Sequence, residues 1–268
     1  MLMSNDTDKV KSIITTGSEM IGAAAGGVLG FLAGGPAGAA AGGVAGVAIS
    51  KTTAKVLTDV AHRSLSQMEE NRIGATATFA IQNIQRRLER GENPRCDDFF
   101  QTQQYASRCN AEEIFEGVLL KSKNEHEEKK VKIFANIFSN IAFTSGLSVG
   151  EANHILQIAN NLTYRQMCLL ALFNRKNEMR DLQLVESLQN SQSFEIISIL
   201  QEIYQLYNYG LLSCTVPNSP HYQALLGWDD VKPTRMELTS LAKRYYAIMG
   251  LNELPSLELR DIAAFLVT

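Results

Sequence analysis

The sequence predicts a mainly α protein in three parts, and three observations carry that prediction. Met20 to Ser50 is an uncharged stretch in which glycine returns at every fourth position. From Lys51 to Asn161, apolar residues recur at helical spacing. After Thr163 the pattern changes to short helices, a strand-like pair around a long loop, and a last helix. The expected parts are a glycine-zipper, membrane-active segment (1–60), a helical domain (61–160), and a winged-helix-like domain with a small β-hairpin and a helical tail (161–268).

The first part is defined by Gly22, Gly26, Gly30, Gly34, Gly38, Gly42 and Gly46, with Gly27, Gly35 and Gly43 adding a second row. Residues four apart form one ridge of an α-helix, so this row is a shallow groove that a second backbone can approach closely. Membrane helices use such spacing, because close packing replaces the missing hydrophobic drive. Ten glycines, each costing about 1 kcal/mol relative to alanine, also mean that the stretch needs packing to be helical. Fully helical, it would be about 46 Å long, against a hydrocarbon core of about 30 Å. Gly35 and Pro36 form a hinge, since Pro36 removes a backbone donor and biases Gly35 away from helix.

Two shapes follow: a long kinked helix, or a hairpin whose arms borrow Val10 to Gly17 and Thr52 to Val60. Lys9 and Lys11 on one side and Lys51 and Lys55 on the other favour a hairpin with both ends cytoplasmic. A soluble close-packed hairpin or a linker is the alternative.

The elements then follow in order. Lys51 to Arg90 reads as helix, with Gly74 as an interruption and Gly91 with Pro94 as its stop. Asn110 and Glu113 form a capping pair before Ile114 and Leu119. The charged run Lys121 to Lys132 reads as a solvated face or turn. Val131, Phe134, Ile137, Phe138 and Ile141 make a strong apolar face, and Ser148 caps the helix carrying Ile155. Thr163 caps a helix with Met167 and Leu170, Asp181 opens a short one with Leu182, Val185 and Leu188, and Ser193 caps a third ending at Gly210. Leu211 to Val216 is strand-like, Pro217 to Pro233 is a loop holding Trp228, and Arg235 to Leu238 pairs back. Thr239 caps a last helix closed by Gly250, and residues 256–268 are a helical tail.

Composition excludes more than it assigns. A net charge of −3 points to neither nucleic acid nor an acidic partner. Four cysteines without a CxxC pair suit a reducing cytosol, and the first nineteen residues lack a secretory pattern, so the expected location is cytoplasmic with inner-membrane association. A winged helix suggests DNA, but Ser193 to Asn208 contains no Lys or Arg and carries Glu195 and Glu202. Tyr204, Tyr207, Tyr209, Tyr245 and Tyr246 suit protein contact instead.

His62, His126, His154 and His221 are scattered without metal-ligand spacing, and His154 reads as a core residue. The acidic pairs Asp97/Asp98, Glu112/Glu113 and Glu127/Glu128 read as helix-start residues. The glycine row lacks the ending of a phosphate loop, so no catalytic residue, cofactor or metal is expected.

Glu127-Glu128-Lys129-Lys130 through Phe134-Ala135-Asn136-Ile137-Phe138, followed by Asn161-Leu162-Thr163-Tyr164 and Leu169-Leu170, resembles the bacterial abortive-infection proteins of the alpha type over residues 110–250. The resemblance implies a role in antiphage defence and supplies no catalytic residues. More loosely, the front half resembles the hydrophobic hairpins of pore-forming toxins. The expected function is a membrane effector partnered by lipid, by further copies of itself and by a protein trigger. The alternative is an adaptor or regulator that binds another protein through the winged-helix-like domain.

Overall fold

The computed structural model describes residues 43–102, 104, 106–179, 183–186, 193–217, 219 and 221–267. The fold is mainly α, with a small three-stranded antiparallel sheet near the C-terminal end. The chain divides into two compact units between Asn161 and Leu162.

In the first unit, α1 (Gly43–Ala61) and α2 (Gln67–Glu89) stand where one helix was expected. The break comes at residues 62–66, and Gly74 lies buried inside α2. Ser66 starts the new helix because the Glu69 carboxylate accepts its backbone N–H and its hydroxyl, both at 2.7 Å. The bond from the Ser66 backbone, then that from its hydroxyl, and Lys123 3.2 Å away hold the Glu69 carboxyl down to about 2. α2 is followed by the C-cap Arg90 and then Gly91, whose φ of +76° suits glycine.

Residues 73–80 of α2 are buried on every side, since α3 (Asn110–Lys123) and α4 (Lys129–Ile141) both pack on it. α3 also packs on α1 and on α5 (Val149–Asn161). At the α3–α4 contact the Phe115 and Phe138 rings lie 4.4 Å apart. The expected apolar face of α4 is buried, and Ser148 Oγ accepts from Glu151 N–H at 3.1 Å before α5. Asn110 is not a cap: Cys109 precedes α3, and Glu113 accepts instead from the Asn153 amide at 3.0 Å.

The charged run is also different from a solvated face. Lys130 and Glu125 are buried, their side chains 3% and 5% exposed, with 2.6 Å between Nζ and Oε2. The carboxylate accepts backbone N–H from His126 and Glu127 too, so its remaining capacity is used by the turn into α4.

The second unit opens with α6 (Tyr164–Arg175), capped reciprocally by Thr163 and Gln166 as expected. α7 (Phe194–Asn208) leads into β1 (Leu212–Thr215), β2 (Tyr222–Gln223) and β3 (Met236–Leu238), in sheet order β2-β1-β3. Cys214 pairs with Gln223 on one side and Met236 on the other, and Leu212 and Cys214 point inward while Ser213 and Thr215 do not. α8 (Ser240–Met249) is capped by Thr239, closed by Gly250 at φ +68°, and followed by α9 (Ser256–Ala263).

The expected short helix around Val185 is a correction. Leu184 bridges Val267 antiparallel, Val185 N–H donates to Leu266 at 2.9 Å, and Thr234 N–H donates to Val185 at 3.3 Å. With its N–H given to Leu266 and its carbonyl to Thr234, the Val185 backbone is not free to bond within a helical turn. Asp181, Leu182 and Leu188 lie outside the described residues.

Candidate functional site

Of the seven zipper glycines, Gly22, Gly26, Gly30, Gly34, Gly38 and Gly42 lie outside the described residues, as do the hinge residues Gly35 and Pro36. Gly46 sits in the first turns of α1, facing Leu88 of α2. A Cβ there would meet Leu88 Cδ1 at 3.9 Å, ordinary contact, so packing among the described residues does not demand glycine at Gly46.

The end of the uncharged stretch is therefore visible as a helix rooted in the first unit. Ile49, Val56, Leu57 and Val60 are each at most 2% exposed, and Thr52 and Thr53 are buried beside them. They recur at helical spacing on the face turned to α3 and to the short 3-10 turn Asp98–Phe100. Thr52 to Val60, expected as part of a hairpin arm, belongs to the body of the fold.

Arg95 holds that floor in place. Its guanidinium bonds Asp97 at 2.6 Å and the Leu147 carbonyl at 2.9 Å, and lies 4.4 Å over the Phe99 ring. The Arg95 bond holds the Asp97 carboxyl below its ordinary value.

Charge fixes the register of the root. Lys55 Nζ lies 2.6 Å from Glu112, whose side chain is 9% exposed. One turn along α3, Glu116 takes Arg63 and Arg108, the latter at 2.5 Å. Burial alone would raise the Glu116 carboxyl, but the two arginines outweigh it and hold it low. Glu112 and Glu113 do stand in the first turn of α3, as expected, and Glu112 additionally serves this contact. That role had no sequence signal, since its partner is 57 residues away.

Other groupings serve the fold. Glu125, His126 and Glu127 place one ligand atom each within 4.8 Å of one another, but the Glu125 carboxylate already holds the Lys130 ammonium. Burial opposes ionisation of Glu125, and Lys130 with two backbone N–H groups overrides it, so its carboxyl stays low. His154, expected in the core, is exposed on α5.

In the second unit, Arg165 joins α6 to α7 through Glu202 at 2.8 and 3.0 Å, Ser198 at 2.6 Å and Glu195. Lys176 Nζ donates to the Thr234 and Met236 carbonyls at 2.8 and 2.9 Å, and burial lowers its ammonium's pKa. These cations are spent on internal contacts. Tyr245 and Tyr246 are buried in α8, so the tyrosine-rich surface is smaller than expected. Tyr204 donates to the Leu226 carbonyl at 3.1 Å, and Tyr207 accepts Leu225 N–H at 3.5 Å, which fastens the loop to α7. Leu226 is left 88% exposed there, with Trp228 beside it in sequence at 36%.

Among the described residues, no helix is long and apolar enough to cross a membrane. No protein family, curated protein or solved structure matches this chain.

Proposed function

We propose that this protein is a non-enzymatic membrane effector of antiphage abortive infection, cytoplasmic until it associates with the inner membrane and disrupts it by inserting the glycine-zipper stretch. Several copies pack their glycine ridges together in the bilayer, and a protein trigger starts the process. The observation that supports this is continuity: the uncharged, glycine-periodic stretch runs into a helix firmly docked in a folded body. That body also leaves the last zipper glycine without an internal steric reason to be glycine. The resemblance around Glu127 to Phe138 adds the defence context.

Replacing Gly30, Gly34 and Gly38 together with leucine fills the groove. Expression of the variant is expected to leave membrane potential and growth intact, with an unchanged circular dichroism melt of the body. Depolarisation by this variant equal to that by the wild type would reject the proposal.

The second reading, an adaptor, is supported by Leu226 and Trp228 on the loop that Tyr204 and Tyr207 fasten to α7. Here the second unit is read as winged-helix-like, with α6 and α7 preceding the small sheet, and its partner is a protein rather than nucleic acid. Cell fractionation separates the two: an adaptor stays in the soluble fraction and leaves membrane potential unchanged when overproduced.

A further inference from the structure

Resting on the protein partner that both readings above require, we infer that the loop fastened to α7 is its docking surface, built around Leu226, and that it takes a cationic, apolar segment of that partner. Leu226 is 88% exposed, yet its backbone is committed on both sides. Its carbonyl accepts from Tyr204 at 3.1 Å, and its N–H donates to Asp230 Oδ2 at 2.8 Å. The preceding residue, Leu225, is buried and gives its N–H to Tyr207. The Leu226 side chain is thus presented on a fixed base, so little backbone freedom is lost when a partner covers it. Around it stand Trp228, in the 3-10 turn that packs on α7, and the rings of Tyr204 and Tyr207, 6.3 Å apart and nearly parallel at 13°. Tryptophan and tyrosine about an apolar anchor are what the centre of a protein interface is made of.

Charge selects the occupant. From Phe194 to Val231 the chain contains no Lys or Arg, and its carboxylates there are Glu195, Glu202, Asp229 and Asp230. Arg165 takes the first two. The other two flank Leu226: Asp230 through the bond from its N–H, and Asp229 with Oδ1 2.6 Å from where a Cβ on Gly227 would stand. Lys232, the next cation in sequence, donates to Gln223 at 3.2 Å. A negative rim beside an apolar knob attracts lysine and arginine and repels phosphate. Anionic lipid and nucleic acid are therefore disfavoured, and a protein segment that sets cations beside an apolar face is favoured. An amphipathic helix with lysines or arginines flanking its apolar stripe meets both demands, Leu226 entering the hole between its side chains.

The test titrates the full chain with two synthetic amphipathic peptides of about five helical turns, one of leucine and lysine and one of leucine and glutamate. Trp228, the sole tryptophan, lies in the surface itself and reports binding by its emission. The lysine peptide is expected to shift that emission to the blue, saturably and less tightly as salt is added, and the glutamate peptide to leave it unchanged. Leu226→Ser should weaken binding at least about tenfold. Asp229→Asn, which spares the Asp230 bond, should lower both the affinity and its salt dependence. Leu241→Ser is the control: Leu241 on α8 is 41% exposed but is followed by Lys243 and Arg244, and its loss should leave binding as it was. Equal binding by Leu226→Ser, or an equal response to the two peptides, overturns the inference. So does a Trp228 shift on phosphatidylglycerol vesicles, or self-association of the chain, that Leu226→Ser abolishes.

A second measurement separates this inference from the readings it rests on. The photocrosslinker p-benzoylphenylalanine is placed at position 226 of the full chain in cells, with position 241 as the reference. Position 226 is expected to give an adduct with another protein whose crosslinked peptide carries Lys or Arg, lost when Asp229→Lys is added. An adduct to a neutral or acidic peptide, or one that survives Asp229→Lys, keeps a partner but overturns its cationic character. No adduct beyond that at position 241 rejects the protein partner of both readings.

Discussion

Lys130 and Glu125 show how a local sequence pattern can mislead. A run of charges between Lys121 and Lys132 has every mark of a solvated segment, yet this pair lies inside, with the Lys130 ammonium also 3.4 Å from the Asn160 carbonyl and 5.7 Å from the Phe134 ring. Removing one buried partner strands the other, at a cost of about 3–5 kcal/mol. Lys130→Met should therefore lower the urea midpoint strongly. Glu125→Leu combined with Lys130→Met should recover part of that loss, because no bare charge remains. Recovery stays incomplete, since Glu125 also accepts the N–H groups of His126 and Glu127.

At the scale of the element, α1 is held more by packing than by charge. Burial of Ile49, Val56, Leu57 and Val60 stabilises the docked helix by about 6–12 kcal/mol at 1.5–3 kcal/mol each, an upper range because the unfolded chain is itself partly compact. Lys55 keeps a side chain 48% exposed, and such pairs contribute about 0–1 kcal/mol. Leu57→Ala is therefore expected to destabilise the first unit by about 2–5 kcal/mol. Lys55→Ala should cost about 1 kcal/mol or less in the same urea titration. The opposite ranking would show that the ion pairs, and not the apolar face, dock the helix.

Over the whole molecule, acid should act unevenly on the two units. Glu69, Asp97, Glu116 and Glu125 in the first unit have carboxyls held below their ordinary values, as does Glu186 in the second. A carboxyl depressed by folding stabilises the protein fully above its unfolded pKa, and that contribution disappears as pH falls through the folded pKa. The window runs from the ordinary glutamate value of 4.5 down to about 2 at Glu69. Trp228, the sole tryptophan, reports on the second unit. Helical circular dichroism is thus expected to fall at higher pH than the Trp228 emission changes, and coincident transitions would count against this distribution of charge.

Read by itself, the sequence determined the mainly α character, the helix caps at Thr163 and Thr239, the stops at Gly91 and Gly250, and the antiparallel pairing of Leu212–Cys214 with Met236–Leu238. Caps and stops are legible because they depend on side chains and φ angles within a few residues. The four-residue spacing of the zipper glycines is a property of the sequence, and of its seven positions only Gly46 is among the described residues. Tertiary structure alone decided that Glu112 meets Lys55, that Leu184 bridges Val267, that Lys130 is buried and that the apolar face of Thr52 to Val60 is covered. In most of these the partner lies dozens of residues away, and whether an amphipathic helix turns its apolar face to protein or to lipid depends on which surface reaches it, information that periodicity does not contain.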